Sequence, residues 1–234
     1  MVALNPSSKK ADKPVQVLLV DSRELVRAGI KRVLSDSDEV TVSGEVASCD
    51  EAIRLARQQQ PHIVMVSLPG SSVDILDGAR KIRRQFPDIR LLILSDESDL
   101  VIQERLLNSG VAGCLSSLCT VEELFAAIDT VMKGERYISD SLAQKLAQRR
   151  LPGHEGSPFD ALTHRELQIF LLVAEGKNAA TIAKELCLSR KTVNGYRNRL
   201  LAKFHMQTEV ELMHLAIRHG LVRVAATTKQ ADVV

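Results

Sequence analysis

His62-Ile-Val-Met-Val-Ser67 is a short apolar run, rich in β-branched residues, with no polar residue between its two ends. A strand of this composition is suited to burial on both faces, as in a parallel sheet covered by helices. Four further short runs flank it and read as strands of the same sheet: Val15–Val20, Val40–Val46, residues 89–95 and Gly113–Ser116. Between them lie amphipathic stretches of helical length at 24–35, 50–59, 75–85, 100–109 and 120–133. Five such β-α units predict an α/β domain over residues 15–136. Its sheet is expected to be doubly wound, five-stranded and parallel, with the functional crevice at the carboxyl ends of the strands.

Past Gly134 the pattern changes. Residues 141–150 fit one amphipathic helix, and Leu-Pro-Gly-His-Glu-Gly-Ser-Pro-Phe at 151–159 reads as a joint; together they make residues 137–159 a linker with a short helix. From Asp160 to residue 222 every periodic segment is helical, which predicts a second, all-α domain. Thr163-His-Arg-Glu166 and Thr208-Glu-Val-Glu211 fit capping boxes, and Gly176 and Gly220 fit helix ends. Ser189 is suited to cap a longer helix running to about Phe204. Residues 1–14 and 223–234 read as tails, the first of them disordered.

A chain of 234 residues with 45% hydrophobic and 26% charged residues has the composition of a globular protein and the length of two ordinary domains. No apolar run reaches the ~18 residues a membrane helix requires, and the polar start is unlike a signal peptide, so a cytoplasmic protein is expected. Cys49, Cys114, Cys119 and Cys187 form no metal or redox motif and read as small buried hydrophobes. With no phosphate loop, nucleophile elbow or metal cluster, no enzyme, cofactor or metal site is expected. The total charge of +2 hides an asymmetry: residues 15–136 hold 14 Lys/Arg against 19 Asp/Glu, and residues 160–222 hold 9 against 6. An acidic first half and a basic second half imply different partners.

The basic charge is concentrated between Arg190 and Lys203, where five cations stand with no acid. A basic helix after a helix and a tight turn is the arrangement that enters the DNA major groove. Asn194 and Asn198, four apart with Gly195 beside them, face one way; Val193, Leu200 and Leu201 supply the opposing apolar face. The runs Leu162-Thr-His-Arg-Glu-Leu167, Ile182-Ala-Lys-Glu-Leu-Cys-Leu-Ser-Arg-Lys-Thr-Val-Asn194 and Ala216-Ile-Arg-His-Gly220 resemble the LuxR/NarL-type DNA-binding domain, most closely its GacA/UvrY branch. The resemblance implies double-stranded DNA as partner. It implies base-edge contacts at Asn194, Gly195 and Asn198, and phosphate contacts from Lys191, Thr192, Arg197 and Arg199. Lys203 adds to the same positive face. Two departures stand out: Gly195 replaces a groove-facing side chain, and His205 stands where the family usually has Gly.

The first half resembles a two-component receiver domain, in register at Val17-Leu-Leu-Val-Asp21 and Arg27-Ala-Gly-Ile30. Such a domain takes a phosphoryl group on an Asp at the end of its third strand. It uses Mg²⁺ held by that Asp and an acidic pair, a hydroxyl after the fourth strand and a Lys after the fifth. Here the pair is reduced to Asp21 and Ser22, and six residues on from Pro61 the acceptor position is Ser67. Ser95 keeps the hydroxyl, while the Lys position falls on Ser117, and Cys114 replaces a common aromatic. Asp96, Glu97 and Asp99 read as solvated loop acids. The residues therefore imply a degenerate phosphorylation pocket, in a regulator that acts without phosphorylation through dimerisation or protein docking. The alternative is an interaction protein that heterodimerises with, or titrates, a phosphorylatable regulator.

In the last helix Val210, Met213 and Ile217 share one face, and Leu212, Leu215 and Ala216 the other. The resembled family pairs through this helix. A homodimer with Val210, Met213 and Ile217 at the contact and the Leu212 face turned inward is therefore expected.

Overall fold

The computed structural model describes residues 13–67, 72–95, 100–149, 151 and 156–222, with side chains of α3 from residue 75 onward. The expected N-terminal tail up to residue 12, the C-terminal tail 223–234, the loop acids Asp96, Glu97 and Asp99, and residues 152–155 of the joint lie outside the described residues.

Six parallel strands form one sheet in the order β2-β1-β3-β4-β5-β6: β1 Val15–Val20, β2 Val40–Val46, β3 Ile63–Val66, β4 Arg90–Ser95, β5 Gly113–Ser116 and β6 Tyr137–Ile138. Alternation along each strand divides the core in two. Leu18, Val64 and Leu91 face one side, where they pack with residues of α2 Cys49–Gln59, α3 Ser72–Gln85 and α4 Leu100–Asn108. Val17, Ile63, Met65 and Leu92 face the other, against α1 Glu24–Leu34 and α5 Val121–Met132. This is the doubly wound arrangement, with one strand more than the five expected. Gly134, at φ +85°, turns the chain back, and β6 pairs with β5 through Tyr137 N–H to the Ala112 carbonyl (3.0 Å) and Ser139 N–H to the Cys114 carbonyl (3.1 Å). Two residues are too few to carry an alternating pattern, so nothing in the sequence marks them as a strand.

After α6 Asp140–Arg149 the chain enters a four-helix unit: α7 His164–Ala174, α8 Ala179–Glu185, α9 Arg190–Lys203 and α10 Glu209–Arg218. The capping boxes Thr163/Glu166 and Thr208/Glu211 are both formed, and a third is present at Thr120/Glu123. Gly176 and Gly220 take positive φ at the ends of α7 and α10. Phe159, assigned from sequence to the joint, is instead a core residue. It is 0% exposed, with ring contacts to Phe170 (5.0 Å), Phe204 (5.8 Å) and His219 (5.2 Å).

The helical unit packs on the α3 and α4 side of the sheet. Arg105 of α4 donates to the carbonyls of Phe159 (2.9 Å) and Leu162 (2.6 Å). Gln168 of α7 donates to Asp77 of α3 (3.1 Å), and Arg149 of α6 bridges Glu104 and Asp160.

The four cysteines are all free, but only Cys49 and Cys114 are buried; Cys119 is intermediate and Cys187 exposed. The expectation of four buried cysteines fails at Cys187 because it occupies the turn before α9, in the left-handed region at φ +52°, where its side chain meets solvent. No helix among the described residues is long and apolar enough to cross a membrane.

Candidate nucleic-acid interface and strand-end pocket

In α9 the helix start is fixed by Ser189, whose hydroxyl accepts the N–H of Thr192 at 3.0 Å. Val193 and Leu200 are buried and Leu201 is partly buried against the same core. That anchoring turns Lys191, Thr192, Asn194, Asn198 and Arg199 outward, all exposed, with Gly195 between them. A Cβ placed on Gly195 would meet no atom within 4 Å, so packing does not require glycine there. Arg199 is pre-oriented: its Nε donates to the Gly195 carbonyl (3.2 Å) and its guanidinium lies 4.3 Å from the Tyr196 ring centre. Arg197 is held differently, ion-paired to Glu209 at the start of α10, with a 3.4 Å contact to the Asn194 side-chain oxygen. Lys203 donates to the Ala161 carbonyl (2.8 Å) and to Glu166 (3.1 Å), clasping the start of α7. The Glu166 carboxyl is held below its ordinary range chiefly by the Thr163 backbone N–H, against burial, with Lys203 adding to the effect. Lys203 is exposed as well, but its Nζ and the Arg197 guanidinium are taken up in ion pairs, which sets them apart from Arg190, Lys191 and Arg199 on the exposed face of α9. His205 follows α9 at φ +55°, the left-handed conformation that makes glycine the easier residue at this position.

On α10 the two faces separate as expected. Leu212, Leu215 and Ala216 are buried in the helical core, Val210 is 57% exposed, and Met213 and Ile217 are partly exposed.

The carboxyl ends of the strands meet at a second site. Backbone bonds bring the tips together: Asp21 N–H to the Val46 carbonyl (3.1 Å), Ser67 N–H to the Val20 carbonyl (2.8 Å) and Ser117 N–H to the Ser95 carbonyl (2.9 Å). Asp21 and Ser67 are buried, Ser22 and Ser117 are exposed, and the Ser95 hydroxyl is enclosed without a hydrogen bond among the described residues.

Asp21 is the one carboxylate among these five residues, and Arg23 holds it on both oxygens. Its Nη2 donates to Oδ2 (2.8 Å), its Nε to Oδ1 (3.1 Å) and its backbone N–H to Oδ1 (2.7 Å). The same Nη2 reaches the Ser67 hydroxyl at 3.5 Å, and Arg27 donates to the Asp21 carbonyl. Burial pushes the Asp21 carboxyl up, but the Arg23 side chain and N–H, with a smaller contribution from Ser67, outweigh it and leave the group below its ordinary value. Burial pushes the Cys114 thiol up to about 12, so it stays protonated at neutral pH. The sequence reading missed Arg23. The available signal was a fork-shaped cation two residues beyond a strand-end Asp that is followed by Ser22.

Mg²⁺ seeks near-octahedral oxygen ligands and usually more than one carboxylate. Among the described residues this pocket offers one, already engaged on both oxygens, and no three His, Cys, Asp or Glu side chains gather where a metal ion could be held. The donor set does not fit the ion.

Comparison with known proteins matches residues 17–129 to the response regulator receiver domain and residues 160–216 to the bacterial regulatory proteins of the luxR family. Response regulator UvrY of Escherichia coli is 37% identical over 217 residues, covering 92% of this chain and all of UvrY. Response regulator GacA of Pseudomonas aeruginosa is 38% identical over 213 residues, covering 91% of this chain and all of GacA. Among solved structures, RcsB of Salmonella typhimurium superposes with a TM-score of 0.70 at 21% identity, covering 89% of this chain and 99% of RcsB. A structure of two RcsB dimers bound to two parallel DNAs gives 0.56 at 21% identity, covering 87% and 98%.

Proposed function

This chain belongs to the DNA-binding response regulators of the GacA/UvrY type, and from that premise we propose that it is a transcription regulator whose receiver no longer answers to phosphorylation. The receiver is residues 15–136 and the DNA-binding domain residues 160–222. The observation that carries the reading is the residue at the end of β3: Ser67, a hydroxyl where the receiver fold takes its phosphoryl group on a carboxylate. A serine cannot form an acyl phosphate. Ser22 removes a metal ligand and Ser117 removes the counter-charge for the phosphoryl oxygens, so three requirements are missing together. Incubation with acetyl phosphate and Mg²⁺ is therefore expected to leave the intact mass unchanged. A stoichiometric, base-labile adduct of about 80 Da, the signature of an acyl phosphate, would refute the reading.

DNA is read by α9. Asn194, Gly195 and Asn198 meet base edges, and Lys191, Thr192, Arg197 and Arg199 meet phosphates. Arg197 must leave Glu209 to do so, and Lys203 contributes by holding α7 in place. The regulator acts as a homodimer, a reading supported by the RcsB dimers on DNA and by the uncovered apolar row Val210, Met213 and Ile217 on α10. Placing Asp at Met213 leaves the chain folded, because the buried side of α10 is the Leu212 face, but shifts it toward monomer and weakens two-half-site DNA far more than one half-site. Sedimentation with circular dichroism checks this; an unchanged dimer would move the contact elsewhere.

A further inference from the structure

We propose that Arg23 is the resident cation of the strand-end pocket, its guanidinium standing between Asp21 and Ser67 in place of a divalent metal ion. The inference rests on reading this pocket as a receiver pocket without its acceptor, and adds what has taken over the charge. Asp21 is 1% exposed, and a buried carboxylate must be paired or be neutralised. Arg23 pairs it in the fork geometry that guanidinium alone among side chains provides, with Nε and Nη2 on separate oxygens. The backbone N–H of Arg23 shares Oδ1, so the turn from β1 into α1 and the ion pair position each other. The long contact from Nη2 to Ser67 (3.5 Å) then links the residues that follow β1 and β3.

Two consequences follow. Among the described residues the Asp21 carboxylate is already neutralised by the Arg23 guanidinium. A divalent cation approaching Asp21 meets a positive charge already seated on the one pocket carboxylate among the described residues, so Mg²⁺ is opposed by occupancy as well as by too few ligands there. Restoring the missing carboxylates does not by itself restore the metal site.

The test is calorimetric titration of the full chain with Mg²⁺ alone, no phosphoryl donor present. The proteins are wild type, Ser22→Asp with Ser67→Asp, and that pair combined with Arg23→Ala. Wild type gives no binding, the double variant binds weakly, and the triple variant binds at least about tenfold more tightly than the double. Equal affinity in the double and triple variants would overturn the proposal, and so would no binding in any of the three, because Arg23 would then not be what keeps the cation out. Should the triple variant fail to fold, nitrogen-15 NMR of the wild type decides. A slowly exchanging Arg23 Nε–H signal, absent from Arg23→Ala, is expected, and a freely averaging guanidinium would contradict the clamp. A phosphoryl adduct on the wild type would sink the phosphorylation-independent reading and leave the Mg²⁺ comparison to stand on its own.

Discussion

Removing the charges of Lys191 and Arg199 together, as Lys191→Ala with Arg199→Ala, weakens DNA binding by about a hundredfold or more at low salt and flattens its salt dependence. The cations of α9 assigned to phosphates are Lys191, Arg197 and Arg199. In a dimer they give roughly six phosphate contacts and a log–log salt slope of about −5. Deleting two per protomer makes that slope shallower by about 3 to 4. Arg199 lies along its own helix, through the Gly195 carbonyl and the Tyr196 ring, so little side-chain freedom remains to be lost on binding. The asparagines behave differently. Asn194→Ala or Asn198→Ala reduces discrimination between a specific site and random DNA by about 1–3 kcal/mol while leaving the salt slope unchanged. Fluorescence anisotropy across a salt series separates the two effects; equal losses on specific and random DNA for the Asn variants would remove them from the base edges.

The second large effect lies in the helical core. Phe159→Ala destabilises the four-helix unit by about 3–5 kcal/mol, the usual cost of emptying a large buried aromatic site. Phe159 touches rings from three other places in the chain, Phe170 of α7, Phe204 after α9 and His219 after α10, so the cavity opens where these elements converge. Rings in such tilted and edge-on contacts contribute about 0.5–1.5 kcal/mol per pair beyond their buried area. Phe159→Leu, which refills part of the volume, costs distinctly less. Urea unfolding followed by circular dichroism measures both. A loss under about 1 kcal/mol for the alanine variant would mean that the joint only rests against the domain.

Most of the architecture is written in the sequence because its signals are local. The runs that become β1, β3 and β4 are largely apolar, since the middle of a parallel sheet is covered on both sides, while the edge strand β2, Val-Thr-Val-Ser-Gly-Glu-Val, is more polar and only partly buried. Likewise Thr163, Ser189 and Thr208 announce their helices, because a cap needs only the three residues that follow it. What escaped reading depends on partners far away in the chain. Tyr137–Ile138 is a strand only because the edge of β5 is free to receive it. Phe159, set among Pro and Gly, has a loop's composition but a core residue's neighbours, and its burial is decided by Phe170 and Phe204. At the strand ends, Ser22, Ser67 and Ser117 can be placed by counting along the chain. The clamp is not, because Arg23 at the start of an exposed helix resembles any surface arginine until Asp21 is placed beneath it. The same holds for α9: its charge is legible, but the diversion of Arg197 to Glu209 and of Lys203 to Glu166 requires the packing of α10 and α7.

DNA binding that is complete without phosphate is tested directly by one titration. A DNA site enriched by the full-length protein itself from random sequence is titrated by anisotropy, before and after incubation with acetyl phosphate and Mg²⁺. The predicted result is tight, sequence-specific binding whose affinity changes by less than about twofold on adding the donor, since no state of the receiver is coupled to it. Tightening within the range of about 5- to 150-fold usual for a coupled effector, accompanied by a phosphoryl adduct on the protein, would contradict it.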